Sequence, residues 1–308
     1  MNRYRKLFVK ITRIATVLAA TTALPASATE NGTTAFPSGS DDFLVAAMPP
    51  PGVYGILYGN RFRADQLNGN AGQTLPLNFS LSVNALVPRI DWVRPVQFLG
   101  ADRWGTLLIL PLLDVNVALS PAPGVNIAGK KSGVGDLVIG NALHWTLGDF
   151  HMLNAVDVVS PTGRYQAQDV VNLGRNQWVL RLNHMGTWLP GGNWDVSYRL
   201  HWDNNFRNRD TDYRSGQTAY LGYAIGWKPS PPATIGVSGY ALKQITDDRQ
   251  GGRVVAPDGN RLAVRGIGPV VKYFFDGGVF VTLKYYRESS SRNGPTGNQT
   301  WLYVGMPL

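Results

Sequence analysis

From Trp194 to Asn204 the chain alternates with period two. Trp194, Val196, Tyr198, Leu200 and Trp202 share one face, and Asp195, Ser197, Arg199, His201 and Asp203 share the other. One face suits hydrocarbon and the other suits water, which is the pattern of a strand in a membrane-spanning β-barrel. Between Leu107 and Leu119 the same reading places Leu107, Ile109, Leu113, Val115, Val117 and Leu119 outward, with Asp114 and Asn116 inward. Asp136, Gly140, Ala142, His144 and Thr146 likewise oppose Leu137, Ile139, Leu143, Trp145 and Leu147. Carried along the chain, the alternation predicts about twelve strands, beginning near Val53, Asn78, Trp104, Gly135, Met152, Trp178, Trp194, Gln217, Ala233, Leu262, Val279 and Thr300.

The connections alternate in length. Polar stretches near residues 63–77, 120–134, 161–176, 204–216, 245–260 and 287–299 are separated by turns near 148–151, 189–193, 228–232 and 275–278, most of them rich in Gly or Pro. The connection near 93–103 is longer than a tight turn. Long outer loops alternating with short periplasmic turns, and an even strand count, place both chain ends in the periplasm. Lipid cannot satisfy free backbone N–H and C=O groups, so the strands must close on one another. The expected fold is therefore all-β, a transmembrane antiparallel up-and-down β-barrel. A soluble β-sandwich would put its polar residues outside and its apolar residues inside. Here the apolar face carries Trp145, Trp188, Trp194, Trp202 and Trp227 near strand ends, in the manner of an interfacial aromatic belt. One conflict of phase stands in the tenth strand, where Arg265 and Lys272 are expected on opposite faces. A bulge at Gly266-Ile267-Gly268, or snorkelling of Lys272, would resolve it.

The amino terminus changes the picture of charge. Arg3, Arg5, Lys6, Lys10 and Arg13 precede an apolar run from Ile14 to Leu24 and the small-residue site Ala26-Ser27-Ala28, the layout of a cleaved secretory signal peptide. The expected organisation is a signal peptide over 1–28, a periplasmic segment over 29–51 and the barrel over 52–308. Five of the 29 Lys and Arg and none of the 20 Asp and Glu lie in the removed segment, so the mature net charge falls from +9 to +4. With export and no surviving basic run, nucleic-acid binding is excluded. The chain has no Cys, which removes thiolate metal sites, thiol nucleophiles and disulfides together.

Several short segments recur in an order and spacing that are specific only jointly. They are Gly133–Asp136, Pro161–Tyr165, Asn172–Asn176, Asp212–Gly216, Gly239-Tyr240 with Gln244–Asp248, Ile267–Pro269 and Lys284–Glu288. Together they resemble the outer-membrane family named for the "MetA-pathway of phenol degradation", over nearly all of the mature chain. The resemblance implies an outer-membrane barrel linked to uptake of aromatic or other hydrophobic compounds, and it brings no catalytic residues with it. The sequence departs from the usual terminal aromatic residue of such barrels by ending Met306-Pro307-Leu308, which bears on recognition by the barrel-assembly machinery.

Candidate chemistry lies on the inward phase. Asp114, Asp136, Arg181, Asp195, Arg199, Tyr240, Lys284 and Tyr286 are expected to line a solute path, with Arg164, Tyr165 and Gln244 narrowing its outer mouth. Arg or Lys facing lipid at mid-depth costs about 2–4 kcal/mol, which drives such side chains inward. The four histidines show no metal-ligand spacing. Thr246-Asp247-Asp248 with Asp258 could offer hard oxygens to calcium, although acidic loop tips are more often solvated turns. No cofactor is expected. The favoured function is a passive channel for small hydrophobic or aromatic solutes. The alternatives are a non-conducting structural barrel, or a barrel-embedded lipid hydrolase using a Ser–His pair such as Ser197 and His201, which share a lumen-facing strand face. Mass spectrometry of protein recovered from membranes should find a mature terminus at Thr29. An intact Met1 terminus would refute the signal-peptide reading.

Overall fold

The computed structural model describes residues 34–230 and 232–308, so the expected signal peptide and cleavage site lie outside the described residues. The strands in chain order are β1 Gly52–Asn68, β2 Asn78–Phe98, β3 Ala101–Ile109, β4 Leu112–Ala122, β5 Val125–Val134, β6 Leu137–Leu147, β7 Phe150–Ser160, β8 Val179–Trp188, β9 Trp194–Asn205, β10 Tyr213–Arg214, β11 Thr218–Ser230, β12 Ala233–Gln244, β13 Arg249–Gln250, β14 Arg253–Val254, β15 Ala263–Phe274, β16 Phe280–Arg292 and β17 Gly294–Pro307. Fourteen of them form one sheet, in which β1 pairs antiparallel with β2 on one side and with β17 on the other. The sheet is closed. β3 continues into β4 across Leu110-Pro111, and β5 into β6 across Gly135-Asp136, so the wall has twelve staves, as the alternation predicts.

The two interruptions face each other, and proline explains them. Pro111 has no N–H to give the ladder. The Leu110 N–H instead reaches the Pro88 carbonyl at 3.1 Å, and the Gly135 N–H reaches the Pro111 carbonyl at 2.8 Å. Two expected loops are corrected here. Most of 120–134 is strand, with the β4–β5 hairpin turning at Pro123-Gly124, and 287–299 is strand except around Asn293. The polar residues that read as loop, among them Lys130 and Ser132, are paired rungs of staves, opposite Asn116 and Asp114. The expected long connection at 93–103 narrows to a turn at Leu99-Gly100.

The outer wall is apolar at mid-height, with Ile139, Leu182, Leu200, Ile225, Val237, Ile267, Leu283 and Leu302 all exposed. Trp92, Trp188, Trp194, Trp227 and Phe275 are exposed near the tight turns, where an interfacial girdle belongs. The phase of β15 is regular: Lys272 is buried and Arg265 exposed, with no register shift at Gly266–Gly268. Arg265 pairs with Ala241 and Ser289 near the long-loop ends of their staves. The phase of β3 and β4 is the reverse of expectation. Leu107 and Ile109 pack inside against Val138, Val159 and Val179, whereas Leu108 and Leu112 are exposed and Asp114 lies on the outer face.

The interior is filled by the chain itself. The segment expected in the periplasm is, over its described residues 34–51, threaded through the barrel. Phe36 meets the Tyr220 ring edge-on and joins a buried cluster with Tyr240, Tyr286, Trp301 and Tyr303, Phe43 joins one with Ala224 and Val270, and Ala46 one with Ala142, Leu153, Ala155 and Met185. Ala35 lies against Val138, Val159 and Val179, and the Met48 carbonyl accepts from the Arg103 guanidinium. Val159 and Val179 end and begin staves at the long-loop side, and Arg103 begins one at the tight-turn side, so the thread runs the height of the barrel. Gly39 shows how close the fit is. Its φ is +81°, and a Cβ there would stand 3.0 Å from the rings of both Tyr240 and Tyr286. Introducing Leu283→Arg on the lipid face should destabilise the barrel by about 2–4 kcal/mol in urea titrations in lipid vesicles. An unchanged midpoint would mean that Leu283 does not face hydrocarbon.

Candidate functional site

Alternation along β8, β9, β15 and β16 carries charged side chains into the lumen, where each must find a partner or remain buried and uncompensated. Arg181 on β8 forms a two-pronged pair with Asp203 on β9, at 2.7 and 2.8 Å, and both are almost wholly buried. Arg199 on β9 donates to the Asn183 side-chain oxygen at 2.6 and 3.1 Å, and through Nη1 to Asp41 of the thread at 3.0 Å. Lys272 reaches Asp42 and the Phe43 carbonyl, each at 2.9 Å. Lys284 donates to the carbonyls of Gly39 and Asp41 at 2.6 and 2.7 Å, beneath the ring of Tyr303. The acidic side of the lumen holds the thread by its backbone. Asp195 accepts the Leu44 N–H at 3.0 Å, and Thr187 accepts the Ala46 N–H at 3.1 Å.

Tyrosines and one tryptophan close the gap between these charges. Tyr240 donates to Glu288 at 2.7 Å and accepts from Gln299 at 2.5 Å, and Gln299 in turn accepts from the Trp301 indole. Tyr286 shares a hydrogen bond with Ser238 at 2.7 Å. The Tyr220 hydroxyl accepts the Gly39 N–H, and the Tyr303 hydroxyl donates to the Ser40 carbonyl.

Of the residues expected on the solute path, Arg181, Asp195, Arg199, Tyr240, Lys284 and Tyr286 meet in this lumen. Asp114 does not: it faces outward and accepts a hydrogen bond from Ser132. Asp136 is instead a loop anchor, its two oxygens accepting the N–H groups of Gly163 and Arg175 at 2.9 and 2.8 Å. These bonds fold 161–177 back on itself, so that a Cβ on Gly163 would meet the Gly174 Cα at 2.6 Å. Only glycine allows that approach, which gives Pro161–Tyr165 and Asn172–Asn176 one shared cause.

The mouth residues are placed differently. Arg164 is exposed, and its carbonyl caps Leu173 and Gly174. The Tyr165 hydroxyl accepts from Asn208, joining two outer loops. Gln244 is fully buried and donates to the Thr246 carbonyl and to Asp248. Asp248 also accepts from the Gly216 N–H and from Tyr213, and a small ribbon of β10, β13 and β14 continues the clamp. Asp247 turns away to an exposed pair with Arg261, which holds that guanidinium above its ordinary value. The two carboxylates thus serve different partners, and among the described residues no cluster of three or more His, Asp or Glu is arranged for a metal.

The alternation expected for β9 holds, yet Ser197 bonds to Asp195 and Thr187 and not to His201. A nucleophile–base pair is not assembled there. The residues that sequence reasoning missed are those of the thread, Phe36, Asp41 and Asp42, together with Asp157, Tyr220 and Tyr303 on the wall. No local pattern in the sequence signals the thread, whose partners are wall residues far along the chain.

A family model described as "Putative MetA-pathway of phenol degradation" matches residues 64–304. The chain belongs to this family. The match begins inside β1, so the thread precedes the segment it covers. No curated protein matches the chain. Among solved structures, the COG4313 outer membrane channel from Pseudomonas putida F1 is similar, with a TM-score of 0.75 at 18% identity over 89% of this chain and 100% of that one. The beta domain of the Bordetella autotransporter BrkA aligns with a TM-score of 0.50 at 11% identity, over 83% and 99% of the two chains. At such identities the likeness is one of fold, a closed barrel of the outer-membrane type.

Removing one partner of a buried ion pair costs about 3–5 kcal/mol, because the other charge stays behind. Arg181→Met should therefore be strongly destabilising in urea titrations, and Arg181→Met with Asp203→Leu much less so. Equal losses in the single and double variants would refute the expectation that Asp203 is left stranded when Arg181 alone is removed.

Proposed function

We propose that this family member is an outer-membrane channel for the passive passage of small hydrophobic or aromatic solutes, with the thread as a removable filling. The observation that carries the reading is that the barrel closes without the thread. β1 and β17 complete the wall, and residues 34–51 contribute no strand to it. Drawing the segment out would break hydrogen bonds, ion pairs and ring contacts but no ladder. It would leave a lumen lined by Tyr220, Tyr240, Tyr286, Trp301 and Tyr303, whose flat apolar faces suit stacking with flat solutes. The printed description of the Pseudomonas putida relative as an outer membrane channel supports the same reading. In this reading the surroundings are outer-membrane lipid on the outside and a small-molecule permeant within, and the barrel-assembly machinery inserts the chain.

A filled lumen also favours a second reading, a non-conducting structural barrel. Liposome swelling separates the two, provided that the solutes are too polar to cross lipid unaided. Phenyl glycosides and sugars of similar size meet that need. Protein-dependent swelling is expected, faster with the phenyl glycosides. No swelling with either solute, from protein whose heat-modifiable gel migration shows it folded, would overturn the channel and favour the structural barrel.

A further inference from the structure

At the centre of the lumen one guanidinium holds two different groups of the thread. Arg199 lies with Cζ 4.7 Å from the ring centroid of Phe36, and its Nη1 donates to the Asp41 carboxylate at 3.0 Å. Arg181 sits at the same 4.7 Å from the Phe36 ring, and the rings of His201 and Tyr220 meet it edge-on at 4.4 and 4.8 Å. A cation over an aromatic face and a charge-assisted bond to a carboxylate are two separate attractions, and burial strengthens both.

Together they describe the chemistry of a small ligand that carries both groups. We propose that the cage of Arg181, Arg199, His201 and Tyr220 is a binding site for aromatic carboxylates, and that Phe36 and Asp41 fill it as a built-in substitute. The proposal rests on the channel reading and names a substrate class within it.

Two further observations point to a ligand. Neither ring nitrogen of His201 has a hydrogen-bond partner, Nε2 standing 3.8 Å from Asp203 Oδ1, although the imidazole is fully buried at the edge of the cage. A hydroxyl or second carboxyl on the ligand ring would give them one. Arg181 is neutralised within the wall by Asp203, whereas Arg199 has only Asn183 and the more distant Asp157, at 3.7 Å, once Asp41 is set aside. The wall thus leaves one guanidinium available to an incoming carboxylate, beside a slot of ring shape. An entering ligand competes with the thread, so its binding favours the withdrawn conformer and couples occupancy to opening. The measured affinity of the intact chain is lowered by the fraction of molecules whose cage is already filled.

The test is calorimetric titration of the full mature chain in detergent micelles, which reads binding independently of conduction. Benzoate is compared with cyclohexanecarboxylate, which lacks the aromatic face, and with benzyl alcohol, which lacks the charge. Phe36→Ala combined with Asp41→Asn removes the substitute and leaves the wall untouched. This variant should bind benzoate at least about tenfold more tightly than the unaltered chain does, and about tenfold more tightly than it binds either other probe. Adding Arg199→Gln, in protein shown folded by heat-modifiable migration, should abolish benzoate binding. Absence of benzoate binding in the double variant, equal affinity for the three probes, or binding that survives Arg199→Gln would each overturn the proposal. Swelling of liposomes alongside such a result would leave the channel standing without this site.

Discussion

Hydrocarbon offers no hydrogen bonds, so each backbone N–H and C=O of the wall must find its partner on a neighbouring stave. A buried polar group left alone costs several kcal/mol, against the roughly 1 kcal/mol that one satisfied bond contributes net, so closure outweighs any local preference of sequence. The pairing of β1 with β17 meets that demand, and the alternation then sorts side chains into a lipid set and a lumen set. Sorting moves the problem inward. Arg199, Lys272 and Lys284 arrive in a narrow interior where none donates to a wall carboxylate among the described residues. The thread answers them with Asp41, Asp42 and its own carbonyls. The wall and its filling are consequences of one requirement, first on the backbone and then on the side chains.

The strands that sit squarely in the membrane were legible because lipid and water impose opposite demands on successive residues. β9 reads correctly residue by residue, with Asp195, Ser197, Arg199, His201 and Asp203 all inside. Lys272 needed no bulge, since Arg265 lies near the long-loop end of its stave. Legibility failed where a stave leaves the membrane. In β4 the outward positions Asp114 and Asn116 are polar because water surrounds them, while Leu113, Val115 and Val117 face the interior. By alternation alone these apolar residues read as the lipid face, and Asp114 as a lumen residue. The same change of solvent disguised the β4–β5 hairpin as a polar loop.

The candidate site was half legible. Its wall cations and tyrosines follow from the alternation, but the groups that occupy them do not. Residues 34–51 have neither a period of two nor a helical period, and their Pro, Gly and Ser suggest only an irregular chain. What fixes them is a set of contacts with strands far along the sequence, which no local pattern encodes. Asp136 and Gln244 failed for a related reason. Each is spent on holding an outer loop, a role that depends on loop geometry and not on strand phase.

The thread also dictates an order of assembly. Its partners Lys272 and Lys284 lie 230 and 245 residues beyond the atoms they bind, on the last staves of the chain to be made. Closing so long a span is slow and entropically costly, and it cannot precede the arrival of β15 and β16. Until then Asp42 lacks Lys272, and the carbonyls of Gly39 and Asp41 lack Lys284. A segment synthesised before every stave is thus among the last to gain all its partners. The seam between β1 and β17 joins the two ends of the wall, so the thread has its full set of partners only in a barrel whose last staves are in place.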